Sequence, residues 1–219
     1  LQAWGMTETS PIASVCRIKS TLDLSDTEAA DQRTTVGQVV VGDDFRVVGP
    51  EGEQPWDGES SGELQVAGPW IAGSYYNDDR SPESFTDDGW LRTGDVATVD
   101  VHGYIRLVDR TKDVIKSGGE WISSVELENE IMAHPKVTEA AVIGLRHAKW
   151  GERPVACVVA ADPADPPTKE ELHAQLEGHV PTWWLPDDVV VIDEVPKTSV
   201  GKFSKKTLRD RYEAHEFDT

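Results

Sequence analysis

The sequence predicts an α+β protein in two parts: a β-rich first half ending near Asp109 and an α+β second half. Three observations carry this expectation. Short apolar runs separated by Gly, Pro, Asp and Ser clusters fill residues 36–108, as strands joined by turns do. Beyond them apolar residues recur at i, i+4, the spacing of a helix face. Ser123 with Glu126 and Thr168 with Glu171 have the spacing of capping boxes, which mark helix starts.

Taken in order, residues 11–35 are polar and acidic with weak periodicity, which predicts a long, poorly anchored loop. Strands are expected at 36–41, 45–48 and 63–66, divided by Gly49-Pro50-Glu51-Gly52 and by the turn cluster 57–62. Runs at 96–99 and 104–108 flank Asp100-Val101-His102-Gly103 and read as a hairpin. Gly118-Gly119 permits a sharp bend or a close approach to a ligand, because neither residue carries a Cβ, and a helix is expected to start just after it. Helices are expected at 124–133, 169–178 and 205–214, with Leu172 and Leu176, then Leu208 and Tyr212, each sharing one face. Strands are expected at 137–144, 154–161 and 188–192, and residues 162–167 form a Pro/Asp loop.

Charge excludes one class of partner. The formal net charge is −19, and neutralising phosphates requires a Lys/Arg surface, so no nucleic acid is expected as a partner. Residues 1–109 carry net −13 and residues 110–219 net −6. Adaptation to high salt and ordinary acidic solubility both fit this surface. Isolated Cys16 and Cys157 suit a reducing cytoplasm, and no apolar run approaches the roughly 20 residues of a transmembrane helix. No signal-peptide pattern opens the chain, which starts at Leu1, so a fragment or processed product is expected. Oligomer formation is left open.

The run DRTKDVIKSGGEWISS over residues 109–124 resembles the hinge segment of the acyl-adenylate-forming enzymes (AMP-dependent synthetases and ligases), and most closely that of the fatty acyl-CoA synthetases. Three further segments resemble the same family in order. Trp4-Gly5-Met6-Thr7-Glu8 looks like its adenine and metal motif, Gly89-Trp90-Leu91-Arg92-Thr93-Gly94-Asp95 like its ribose motif, and Pro196-Lys197-Thr198-Ser199-Val200-Gly201-Lys202 like its C-terminal lysine loop. The resemblance implies that residues 1–109 are a distorted, barrel-like β subdomain ending a large adenylating domain. Residues 110–219 would be the mobile C-terminal AMP-binding domain.

The implied activity is that of a long- or medium-chain fatty acid–CoA ligase: carboxylate, ATP and CoA give acyl-CoA, AMP and pyrophosphate through an acyl-adenylate. Adenylation needs positive charge where pyrophosphate leaves, together with a metal and accurate positioning. Lys202, beside Gly201, is the implied catalytic cation. Lys205 and Lys206 are either solvated helix-start residues or further ligand contacts. A carboxylate can accept both vicinal ribose hydroxyls, and the resemblance gives Asp95 that role, with Arg110 beside the ribose or else in a surface ion pair. Glu8 is the implied Mg²⁺ ligand and Thr7 an α-phosphate contact. Trp4 would stack on adenine or pack in a core; Met6 would lie near the acyl group or in that core. Lys112 matches the hinge between adenylating and thioester-forming poses, after which Gly118, Gly119 and Trp121 would line the pantetheine path of CoA. His134 and His147 read as structural or surface residues.

The family's Gly/Ser/Thr-rich phosphate loop, expected upstream of Trp4, does not occur in this sequence. The chain is therefore expected to be an inactive fragment of the ligase. An adenylating ligase for an aryl or other small carboxylate is the alternative enzyme. A noncatalytic partner-binding module is the alternative of another class.

Overall fold

A computed structural model describes residues 1–79, 81–198, 201, 203–215 and 217. The chain divides into two compact units, Leu1–Thr111 and Lys112–Thr219.

In the first unit, β1 (Ala3–Trp4), β2 (Ser14–Val15), α1 (Asp26–Gln32) and β3 (Gln38–Val39) precede β4 (Asp44–Gly49), β5 (Gly52–Glu53), β6 (Gly62–Ala67), β7 (Leu91–Val99) and β8 (Ile105–Arg110). The last five strands form one antiparallel sheet in the order β5-β4-β6-β7-β8, and β1-β2-β3 form a second. Ile105 N donates to Gly37 O at 2.8 Å and Val36 N to Ile105 O at 2.9 Å, so the small sheet continues from the edge of the large one. The array curls. Trp4 and Met6 pack on the same core as Val47, Leu64, Val66, Leu91, Ala97, Val99 and Ile105. The expected Asp100–Gly103 hairpin turn is held by Asp100 Oδ1, which accepts from His102 N at 2.8 Å and Tyr104 N at 2.9 Å.

The expectation of a loose segment at 11–35 is corrected. Ala13, Ser14, Cys16 and Thr35 are buried, and Asp26–Gln32 is helical. Ser25 and Glu28 form a reciprocal capping box, and no residue of α1 is buried. The helix therefore has no apolar stripe for periodicity to find; only its cap is legible.

In the second unit, β9 (Ile115–Ser117) and β10 (Glu120–Ile122) lead to α2 (Ser124–Met132), β11 (Val137–His147), β12 (Gly151–Ala160), α3 (Lys169–Leu176), β13 (Asp188–Val191) and α4 (Lys205–Arg211). The sheet order is β10-β9-β12-β11, with β13 parallel to β12. Alternation along β11 and β12 explains the packing. Ala140, Val142, Ala156 and Val158 face a core with Leu127, Ile131, Leu172 and Leu176 of α2 and α3. Ala141, Ile143, Val155 and Cys157 face a second core with Leu208 of α4. Strands buried on both sides read as continuous apolar runs, which these do.

Here too one expectation is corrected. Between Gly118-Gly119 and the helix lies β10, paired back onto β9 with Glu120 opposite Ser117. The two glycines are the whole connection, with φ of 62° and 93°; a two-residue hairpin of this hand needs positive φ at both positions. The helix then starts at Ser124, where Ser123 Oγ accepts from Glu126 N at 3.1 Å.

Candidate active site

Asp95 is the centre of the site on the first unit. It lies on β7 directly opposite Arg110 of β8. Thr93 prepares its place: the hydroxyl donates to Leu64 O at 2.6 Å and accepts from Asp95 N at 3.1 Å. The carboxylate is 4% exposed, with Oδ1 2.8 Å from Arg110 Nε and Oδ2 accepting from the Trp4 indole N–H at 2.8 Å. Trp4, Asp95 and Arg110, far apart in sequence, thus meet around one carboxylate. Trp4 is half-buried against the core, whereas the Arg110 side chain is 56% exposed. Each carboxylate oxygen has a second lone pair beyond these contacts.

Burial raises the Asp95 pKa above the usual carboxylate value, against the lowering effects of the Arg110 charge and the Trp4 hydrogen bond. A carboxyl raised in the fold contributes stability while protonated, and that contribution is lost as pH rises through its folded pKa. Burial therefore weighs against the ionised form of Asp95 in the fold. Asp95→Asn is expected to leave Tm at pH 7 unchanged or higher and, if Asp95 serves as a ribose acceptor, to weaken ATP binding by about 10- to 100-fold, the range for a lost hydrogen bond to a charged group. Thermal melts beside nucleotide titrations check this; a clear fall in Tm contradicts it.

The segment Trp4–Glu8 is fixed by close packing. A Cβ on Gly5 would sit 1.9 Å from Pro11 O, so no other residue fits without moving the backbone. Thr9, which sequence reasoning passed over, is buried; its hydroxyl accepts from Met6 N and donates to Pro11 O, both at 2.9 Å. The turn leaves Thr7 exposed and Glu8 half-exposed. Tyr75 donates its hydroxyl to Glu8 Oε1 at 2.6 Å, and this hydrogen bond pushes the Tyr75 pKa up to about 12, so it remains a donor at any working pH. Among the described residues no three His, Cys, Asp or Glu side chains gather to cage a metal. Glu8 offers a single oriented carboxylate, which suits Mg²⁺ held mainly by phosphate and water oxygens.

Arg110 is followed by Thr111, whose N–H donates to Gly94 O at 2.9 Å, and then by exposed Lys112, the first residue of the second unit. Gly118 and Gly119 are exposed at the β9–β10 turn. Beside them lies a cavity of about 450 Å³ lined by Ser117, Gly118, Glu120, Trp150, Arg153, Trp183 and Asp187. Gly118 N donates to Trp150 O at 2.8 Å, and a Cβ on Gly118 would come within 3.1 Å of the Trp150 ring. Arg153 is committed to the wall, donating to Asp187, Ser117 Oγ, Trp183 O and Leu185 O. Trp150 and Trp183, each 44% exposed, are the open apolar surfaces. Sequence reasoning missed both. Trp121, expected here, is half-buried on β10 opposite Lys116.

His147 Nδ1 accepts from Lys149 N at 3.1 Å and Trp150 N at 3.3 Å, a structural role that fixes the turn carrying Trp150. His134 Nδ1 likewise accepts from Lys136 N at 3.3 Å. Lys205 is not free for a ligand: its ammonium lies 2.7 Å from Glu128 Oε1 and donates to Ser124 Oγ at 2.6 Å. Lys206 is exposed. Lys202 lies outside the described residues.

The family model for AMP-binding enzymes matches residues 1–76, and that for the AMP-binding enzyme C-terminal domain matches residues 126–202. A long-chain-fatty-acid–CoA ligase of Thermus thermophilus is 47% identical over 215 residues, 96% of this chain and 39% of that protein. A 3-methylmercaptopropionyl-CoA ligase of Ruegeria lacuscaerulensis is 42% identical over 97% of this chain and 39% of its own length. Among solved structures, ATP-bound MatB from Rhodopseudomonas palustris superposes with a TM-score of 0.75 at 31% identity, over 96% of this chain and 40% of that one. The chain spans about two-fifths of the length of the curated relatives it matches. With a relative 47% identical over 96% of this chain and both family models matched in order, the chain belongs to the AMP-binding, acyl-adenylate-forming enzymes.

Proposed function

We propose that this chain is the C-terminal part of an ATP-dependent, AMP-forming fatty acyl-CoA ligase. The observation that carries the reading is the Trp4–Asp95–Arg110 cluster: a rigid acceptor for ribose hydroxyls beside an exposed guanidinium. Asp95 would receive the ribose hydroxyls, Arg110 would approach from the open side, and Trp4 would flank the base. Thr7 would contact the α-phosphate and Glu8 would hold Mg²⁺, which when bound neutralises charge developing on the phosphates. Lys202 would bridge the carboxylate and α-phosphate oxygens as pyrophosphate leaves.

CoA would then reach the adenylate past Gly118 and Gly119, with the cavity walled by Trp150 and Trp183 receiving part of it. Lys149 Nζ lies over one face of the Trp150 ring, 4.4 Å from its centroid, and the remaining exposed surface of the two rings is apolar area that a base or a pantetheine arm can cover. Trp150→Ala is expected to raise the KM for CoA about tenfold and to leave pyrophosphate exchange within twofold; the reverse pattern removes CoA from this cavity. A fatty acid is the favoured carboxylate, since a long-chain fatty acid ligase is 47% identical over nearly the whole chain. The thioester assay tests the reading as a whole. The full-length protein should form acyl-CoA from fatty acid, ATP and CoA, and the isolated 219-residue chain should not exceed the rate without enzyme. Synthesis by the isolated chain would overturn the fragment reading.

A further inference from the structure

The helix α4 is seven residues long, and a helix this short does not hold itself in water. Its inward face is built from Lys205, Leu208 and Arg209, spaced to lie on one side. Leu208 is fully buried. Lys205 and its partner Glu128 are only 10% and 13% exposed, and Glu128 Oε1 also accepts from Val142 N at 2.7 Å. Arg209 reaches Asp113 Oδ1 at 3.0 Å, with the two side chains 27% and 14% exposed. One face of α4 is thereby tied to α2, to the backbone of β11, and to the residue directly after Lys112.

A buried ion pair is a poor way to add stability, since apolar side chains of similar size often do as well. What it supplies is a unique register, because charged partners are satisfied in only one arrangement. Register matters at this place. α4 starts three residues after Lys202, and the base of that loop is also fixed: Lys197 bridges Phe203, Ser204 N donates to Pro196 O at 2.7 Å, and Lys197 Nζ lies 2.8 Å from Glu139 Oε1. Sliding the helix by one residue would turn its side chains by about 100° and shift them about 1.5 Å. A misplacement of about 1 Å can cost about 10²-fold in rate.

We propose that Glu128 and Asp113, through Lys205 and Arg209, are positioning residues that set the register of α4 and with it the place from which the lysine loop acts. The inference rests on the ligase reading for its catalytic part. The test compares Glu128→Gln, Lys205→Met and the double variant in the full-length protein. Each single change removes one member of the Lys205–Glu128 pair and should lower Tm; the double change removes both charges and should lower Tm by less than the two single changes summed. In the double variant, pyrophosphate exchange should nevertheless stay about 10- to 100-fold down in kcat. The KM for ATP and thioester formation from supplied acyl-adenylate should stay within twofold. Amides of residues 203–211 should exchange hydrogen faster than in the wild type. Adenylation at the wild-type rate in the double variant, or amide exchange there equal to wild type, would overturn the proposal. A wild-type protein that forms no adenylate would instead sink the ligase reading, and the exchange comparison would still decide whether the pair fixes α4.

Discussion

Lys202→Ala in the full-length ligase is expected to slow adenylate formation by on the order of 10²–10³-fold, the usual cost of losing a well-placed charged donor at a developing anion. Thioester formation from supplied acyl-adenylate should stay near the wild-type rate. The asymmetry follows from the proposed domain alternation: the ammonium would be needed where pyrophosphate leaves, and for thioester formation, in which the thiol displaces AMP, the second unit would have swung to its other pose. Pyrophosphate exchange and thioester release, measured side by side, separate the two steps. Equal losses in both would show that the loop supports the whole fold of the second unit and not one step.

Lys112→Pro is expected to do the reverse. Lys112 is exposed at the first position of the second unit, directly after the strand pairing that ends with Thr111 N on Gly94 O. Proline fixes φ near about −65° and removes the backbone N–H, so a hinge holding it can match one pose and not both. If the adenylating pose is the one retained, pyrophosphate exchange survives. Thioester formation should then fall by on the order of 100-fold, because the Gly118-Gly119 turn no longer reaches the adenylate in good geometry. Wild-type thioester formation in this variant would move the hinge away from residue 112.

How far the sequence leads can be judged from particular elements. The β11 and β12 strands were legible because both faces are buried, so Ala140–Ile143 and Val155–Val158 read as unbroken apolar runs. Helix α3 was legible from its cap, Thr168 with Glu171, and from Leu172 and Leu176 four apart. Helix α1 has an equally good cap in Ser25 and Glu28 but buries nothing, and so left no periodic trace. The β9–β10 hairpin was hidden for a different reason. Each of its strands is three residues long, too short for alternation to stand out, and the Gly-Gly pair fits a turn into a helix as well as a turn into a strand.

The site divides in the same way. Asp95 and Arg110 could be named from their motifs, and the structure brings them together across one strand pair. That Trp4 spends its indole N–H on Asp95 could not be read, since 91 residues separate them. Nor could the Trp150 and Trp183 walls, which the packing of β12 against the segment before β13 brings beside Gly118. Tyr75 on Glu8 is a contact of the same long-range kind.

The most direct test of the ligase reading is the identity of the phosphate products. The full-length protein, incubated with fatty acid and ATP and followed by phosphorus NMR, should release AMP and pyrophosphate in equal amounts once CoA is added, and Asp95→Ala should slow that release at least about 10-fold at ATP below the wild-type KM. ADP with inorganic phosphate as products, or AMP release at the wild-type rate in Asp95→Ala, would contradict it.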